Sequence, residues 1–392
     1  MRIRRLDARR VQIPLRGAIE HARASRAATD NVVCAITLDG GIVGYGEGVP
    51  RGYVTGESID TMWSALEALE LPAAPPVATI GDALALAERA VARAIVDRDG
   101  VVQNACRAAL ELAILDAYGK AFATSLTAPL IEHCGTRPGP VCTHSLVLDR
   151  KLARDPARLE ELRGRYGFRA AKLKVGFGAD EDLANIATLR ACFGPDGDLR
   201  LDANGAWTFE DAARVMSRAR DHGVTVVEDP LRGATIDEQA DDLRRLRERE
   251  GVRVVLDEGI RTPGELARAI DLGAIDVVNL RVSKNGGLVR TCRLAKLAQD
   301  RGVGLQVGTQ VGETAILSAA GRHLSYSAGP VVYLEGSNEQ LKFEPGCYVA
   351  EEELTYDERA TSRPLTGPGL GITVIAERLE RFTTARLAKS FA

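Results

Sequence analysis

Five charged residues recur at nearly one interval, each closing a short apolar run. Lys174 ends AAKLK, Asp202 follows DLRL, Glu228 follows VTVV, Asp257 follows VRVVL, and Lys284 ends VVNLRVSK. The intervals are 28, 26, 29 and 27 residues. Carboxylates brought together repel one another unless a cation joins them. An all-oxygen donor set of Asp202, Glu228 and Asp257 favours Mg2+ over softer metals. Such a cation keeps positions open for water or a substrate oxygen and polarises a substrate carboxylate. Lys172 and Lys174 are two apart, so on a strand they point to one side. Crowding by a second cation favours the neutral amine, which makes a general base. Lys284 is expected across the site from them.

The interval fits a strand, a loop, a helix and a return loop, so the chain reads as repeated β/α units. In a parallel barrel the carboxyl ends of successive strands meet at one mouth. Strands are expected at 141–147, 170–176, 198–205, 224–230, 252–259, 275–284, 303–309 and 331–336, with apolar runs suited to burial on both faces. Helices fill the gaps, one starting at Thr208 with Asp211 three residues on. Upstream, NVVCAITLDGGIVGYGEGV reads as two antiparallel strands around Asp39-Gly40-Gly41. Residues 58–103 read as helical, broken by a loop at LPAAPP (71–76). In NACRAALELAILDAYGK, Cys106, Ala109, Leu110, Ala113 and Ala117 share a helix face, with Gly119 as C-terminal cap. The fold class expected is α/β, a TIM-like (β/α)7β barrel. An α+β domain at 1–130 precedes the barrel at 131–360. The tail at 361–392 is expected to hold no ninth strand and to pack on the first domain.

A chain of 392 residues suits a barrel plus a further domain, and 45% apolar content supports a large core. A net charge of −3 gives no support for binding nucleic acid or anionic membranes. The start MRIRRLDARRVQIPLRG lacks an apolar signal core, and no run approaches the roughly 18 apolar residues of a membrane helix. Seven cysteines without CxxC spacing read as free thiols, and the cytoplasm is expected.

Other polar residues have two readings each. Asn204 shares a face with Asp202 and either bonds substrate or a metal ligand, or forms a turn at 203–205. Asp229 and Glu258 either orient Lys174 and outer waters or pair at the surface. Glu335 is expected to meet a cationic or hydroxyl group of substrate, and Glu313 either does likewise or caps a helix. His144 reads as a satisfied core histidine and Trp207 as packing. GYGEG (44–48) lacks the context of a dinucleotide loop.

Together, KLK (172–174), DANGAW (202–207), EDP (228–230), DE (257–258) and SKNGG (283–287) resemble the enolase superfamily, in particular its muconate lactonizing enzyme subgroup. The likeness implies Mg2+ (with Mn2+ as a possible substitute) on Asp202, Glu228 and Asp257. It implies Lys174 and Lys284 as acid/base groups, with Lys172 steadying the substrate carboxylate. The imported mechanism is proton abstraction through an enediolate. The resemblance also implies a capping domain, a small carboxylate substrate and a homo-oligomer. HARASR (21–26) and PRGYVTGES (50–58) fall at the family's specificity loops, where Arg51 and Tyr53 are expected to read an anionic or ring-bearing distal group. The chain lacks the strand-eight Asp-x-Asp of dipeptide epimerases. It also lacks the strand-seven His of mandelate racemase-like members. Racemisation or epimerisation is expected first, with cycloisomerisation and syn-dehydration as alternatives. A Schiff-base aldolase and a non-enzymatic barrel remain as other classes.

Overall fold

The computed structural model describes residues 1–21, 24–70, 76–97, 101–233 and 235–391. Alternating apolar residues at the start give β1 (Ile3–Val11), β2 (Pro14–His21), β3 (Ala24–Ala28), β4 (Asn31–Leu38) and β5 (Val43–Gly48). Strands β1, β4 and β5 form an antiparallel sheet, and β2 pairs with β3 apart from it. The expected hairpin turns at Gly40 and Gly41, both at φ 83, where a side chain would be strained. The loop read at 71–76 lies outside the described residues except for Pro76, as do residues 22 and 23 of the first specificity loop.

The helix Asn104–Ala121 is buried on every side from Asn104 to Gly119, because it runs between the sheet and the barrel. The glycines of GYGEG explain how close it lies. A Cβ on Gly46 would collide with the backbone oxygen of Ala109 and the nitrogen of Ala113. Gly119 does not end this helix as expected. It sits inside it, where the backbone of Gly369 comes too near for a side chain.

The eight barrel strands are shorter than their apolar runs: β6 (Leu146–Leu148), β7 (Ala170–Lys174), β8 (Asp198–Asp202), β9 (Val226–Glu228), β10 (Arg253–Leu256), β11 (Val277–Leu280), β12 (Gly304–Val307) and β13 (Tyr333–Leu334). They lie in consecutive order and pair in parallel, so the residues at their carboxyl ends are neighbours. The sheet curls until the Ser145 amide donates to the Leu334 carbonyl at 2.8 Å, joining the first strand's edge to the last. Val226, Val255, Val277 and Tyr333 form a small apolar cluster of their own, a plug below the mouth. Thr208 caps the helix Phe209–Ala219 as its sequence indicates. One expectation fails at β11. The run to Lys284 is not one strand, because the chain turns into the short helix Val282–Asn285, with the Arg281 amide donating to the Asn285 side chain.

The tail packs on the first domain as β14 (Thr383–Ser390), antiparallel to β1 from Arg5↔Ser390 to Val11↔Thr383. The sheet of the first domain is therefore built from both chain ends, in the order β14-β1-β4-β5. No helix among the described residues is long and apolar enough to cross a membrane.

Candidate active site

The mouth of the barrel holds a cavity of about 280 Å³. Lys172, Lys174, Asn204 and Glu335 line it from the barrel, and Tyr53 lines it from the first domain. Asp202, Glu228 and Asp257 lie beneath, each at most 1% exposed. Their positions follow from pairing: Lys174 is in register with Asp202, and Asp202 with Glu228. Asp257 comes directly after β10, whose Val255 pairs with Glu228.

Charges are closely matched here. The Lys172 ammonium lies 2.8 Å from Glu228, 2.8 Å from Glu335 and 3.4 Å from Asp202. Burial works against its charge, but Glu228, Glu335 and Asp202 outweigh it and hold its pKa above the ordinary lysine value. The expected neutral lysine is therefore not this one. Burial likewise opposes charge on Glu228, yet Lys172, Lys174 and Arg281 keep it well below the usual carboxylate range. Asn279 and Gln306 each donate to Glu228 at 2.8 Å, which fixes both its oxygens. Lys174 donates to Asp202 at 2.5 Å and to the Asn204 side-chain oxygen at 2.9 Å. The Asn204 amide reaches on to Glu258 at 2.9 Å.

Two of these residues hold left-handed backbone: Asn204 at φ 47 and Asp229 at φ 40. Non-glycine residues adopt that conformation at some strain, and it recurs at functional sites. For Asp229 it aims the carboxylate at the Asp257 and Glu258 amides, 2.9 Å from each, so Asp229 sets the end of β10. Burial and the Asp229 charge push the Glu258 carboxyl well up.

Lys284 is fully enclosed and does not line the cavity. Its ammonium donates to the carbonyls of Asp257 and Asn279 at 2.7 Å each and lies 3.0 Å from the Asp257 carboxylate. Burial and then Arg281 lower its pKa to about 7. Arg51 is buried, and its two terminal nitrogens donate to the carbonyls of Pro50 and Val311, so it does not line the cavity. Glu335 lines the cavity but is bound to Lys172 and Arg200. Glu313 accepts from the Gln310 amide at 2.7 Å, an internal turn contact. His144 is a core histidine: its Nε2 bonds Ser362 at 2.8 Å, and burial lowers its pKa to about 3.

The donor set suits a hard cation. Both Asp257 carboxylate oxygens are buried, one against the Arg281 guanidinium and the other 3.0 Å from the Lys284 ammonium. Oxygens of Asp229, Asp257 and Glu258 lie within 4.8 Å of one another. The three acids named from sequence share the mouth, but lysines and Arg281 stand between them. Asn279, Gln306, Arg200 and Arg281 were missed from sequence. Their signal was a lone polar residue inside an apolar strand, as in VVNL or GLQV.

A family model described as Enolase C-terminal domain-like matches residues 155–378, and the Mandelate racemase / muconate lactonizing enzyme N-terminal domain matches 4–131. The chain belongs to this family of the enolase superfamily. Among its relatives, an N-succinyl-L-Arg/Lys racemase of Bacillus cereus is 28% identical over 391 residues, 98% of both chains. Muconate cycloisomerase 1 of Rhodococcus opacus is 27% identical, over 95% of this chain and 96% of its own. A dipeptide epimerase structure from Cytophaga hutchinsonii, complexed with Mg and D-Ala-L-Val, superposes with a TM-score of 0.83 at 21% identity. That match covers 99% of this chain and all of the other, and it fixes the shared fold.

Proposed function

We propose that the chain removes the proton α to a carboxylate through an enediolate, as a racemase or epimerase of a small carboxylate or amino-acid derivative. Residues 131–360 form the catalytic barrel, and residues 1–130 with the tail 361–392 form its cap. The observation that carries the reading is Lys174: it opens on the cavity while its ammonium is held by Asp202 and Asn204, beside the buried acids. The racemase and cycloisomerase named among the relatives support a chemistry of this class.

Asp202, Glu228 and Asp257 would hold Mg2+, which supplies positive charge where the substrate carboxylate becomes more negative. Mn2+ is expected to substitute. Lys172, kept cationic by three carboxylates, adds fixed charge at the same end of the substrate. Lys174 takes the α-proton when its amine is neutral, and Asn204 orients that amine. Lys284 would return a proton from the other face, its flexible stem leaving the two carbonyls. Tyr53 closes the cavity from the cap. The free cysteines support a reducing, cytoplasmic compartment. The homo-oligomer implied by resemblance is tested by light scattering.

The enclosure of Lys284 favours a second reading, one-base cycloisomerisation or dehydration, in which Lys284 acts only by its charge. Deuterium incorporation into each enantiomer of an N-acyl amino acid, read by mass spectrometry, separates the two. With two bases, Lys174→Ala blocks exchange from one enantiomer and Lys284→Ala from the other. With one base, Lys174→Ala blocks both and Lys284→Ala neither. Chelation should abolish exchange and Mg2+ restore it; full exchange in chelated enzyme sinks both readings.

A further inference from the structure

A small polar cavity of about 10 Å³ lies beside the turn that follows β13. Arg322, on the helix Ala315–Ser327, lines it together with Ser318, Ser337, His144 and Glu335. The turn is held in left-handed backbone, with Gly336 at φ 92 and Ser337 at φ 51. The second value is strained for a residue that bears a side chain. The Ser337 hydroxyl accepts from Arg322 at 2.8 Å, and Arg322 also donates to the Thr355 carbonyl at 3.0 Å.

These contacts leave the charge of Arg322 unanswered. The residue is 8% exposed, its Nε has no hydrogen-bond partner, and no carboxylate pairs with it among the described residues. Burial pulls its pKa down to about 10, which still leaves a cation at neutral pH. Other buried arginines are matched: Arg107 with Asp97, Arg200 with Glu335 and Arg281 with Asp257. Arg51 touches no acid either, but Asp30 and Glu313 lie in its field, whereas Arg322 has only Tyr326. Glu335, the one acid lining the cavity, is already held by Lys172 and Arg200. His144 is neutral, so it adds no charge of its own. A buried cation without a counter-charge is costly, and hydroxyls alone do not cancel it. The space admits one monatomic ion or one water and is too small for sulfate, phosphate or a carboxylate ligand.

We propose that this cavity binds a monatomic halide, chloride in ordinary solution, as the counter-ion of Arg322. The Ser318 and Ser337 hydroxyls supply further donors. The anion then ties the helix Ala315–Ser327 to the turn next to Glu335, the partner of Lys172. The assignment is independent of the proposed reaction.

Two measurements on the full chain test it. Crystals grown with bromide as the only halide, measured at the bromine absorption edge, should show an anomalous peak beside Arg322 and Ser318. A cavity without that peak, or one holding an ordinary water, would overturn the site. In solution, ionic strength is held constant with gluconate, an anion too large to enter. Raising chloride from about 1 to about 200 mM should then lift the melting temperature of the wild type by about 2–4 °C. Arg322→Met, which removes the charge and keeps the stem, should not respond. No rise in the wild type, or an equal rise in Arg322→Met, would reject the bound ion. If Arg322→Met does not fold, the bromide peak alone decides.

Discussion

Single residues show how this protein places charge where water cannot help. Glu111 lies inside the helix Asn104–Ala121 and accepts from the Val289 amide at 3.2 Å, while its other oxygen has no donor. A Cβ at Gly287 would strike that carboxyl, so the glycine leaves room for it. Burial pushes Glu111 up to about 8, from 4.5. The folded state thus holds a proton that the unfolded state has released. The stability linked to Glu111 is complete below pH 4.5 and is lost as pH rises to about 8. Its slope is at most about 1.4 kcal/mol per pH unit in that window. Glu111→Gln, neutral at every pH, should flatten the fall. Urea unfolding at pH 5, 6.5 and 8 measures it, and parallel curves for the two proteins would remove Glu111 as the cause. The same physics explains what was legible at this scale. Acids and lysines at strand ends announce themselves by type and interval. The side a lysine faces does not, because Lys284's direction depends on two carbonyls brought near only by the fold.

At the scale of elements, the period of the β/α units was readable because parallel strands buried on both faces write unbroken apolar runs. Strand ends were less so. VVNLRVSK continues apolar beyond β11, but Asn285 captures the Arg281 amide and turns the chain into a helix. Glycine spacing carried information of another kind. Gly44, Gly46 and Gly48 alternate along the face of β5 that meets the helix Asn104–Ala121, and each would collide with that helix if it bore a side chain. The two nearest atoms met at Gly46, the Ala109 oxygen and the Ala113 nitrogen, are backbone, which cannot rotate away. Gly46→Ala should therefore destabilise the protein by about 1–3 kcal/mol or more, as overpacking does. An alanine at exposed Gly41, which meets nothing within 4 Å but has φ 83, tests strain without collision. Comparable thermal shifts in the two variants would refute the role of close packing at Gly46.

The whole molecule depends on its two ends meeting. Strand β1 lies between β4 and β14, so the last residues of the chain cover an edge that would otherwise present unpaired backbone groups. The tail's destination was legible, but not its strand. TTARLAKS alternates between half-buried and exposed positions, without the apolar face that marks a buried strand. The cap matters to the site because its loop brings Tyr53 over the mouth and its Arg51 ties Pro50 to Val311 beyond β12. Removing residues 383–392 should leave the barrel folded and loosen the cap. Hydrogen exchange followed by mass spectrometry should show faster exchange in Ile3–Val11 and Asn31–Leu38, while Ala170–Lys174 stays protected. Substrate exchange should weaken mainly through KM, since the lysines and acids remain and only closure is impaired. If protection in Ile3–Val11 is unchanged, β14 contributes no support to the cap. If Ala170–Lys174 loses protection as well, cap and barrel unfold as one unit, and the tail holds the whole fold rather than the lid.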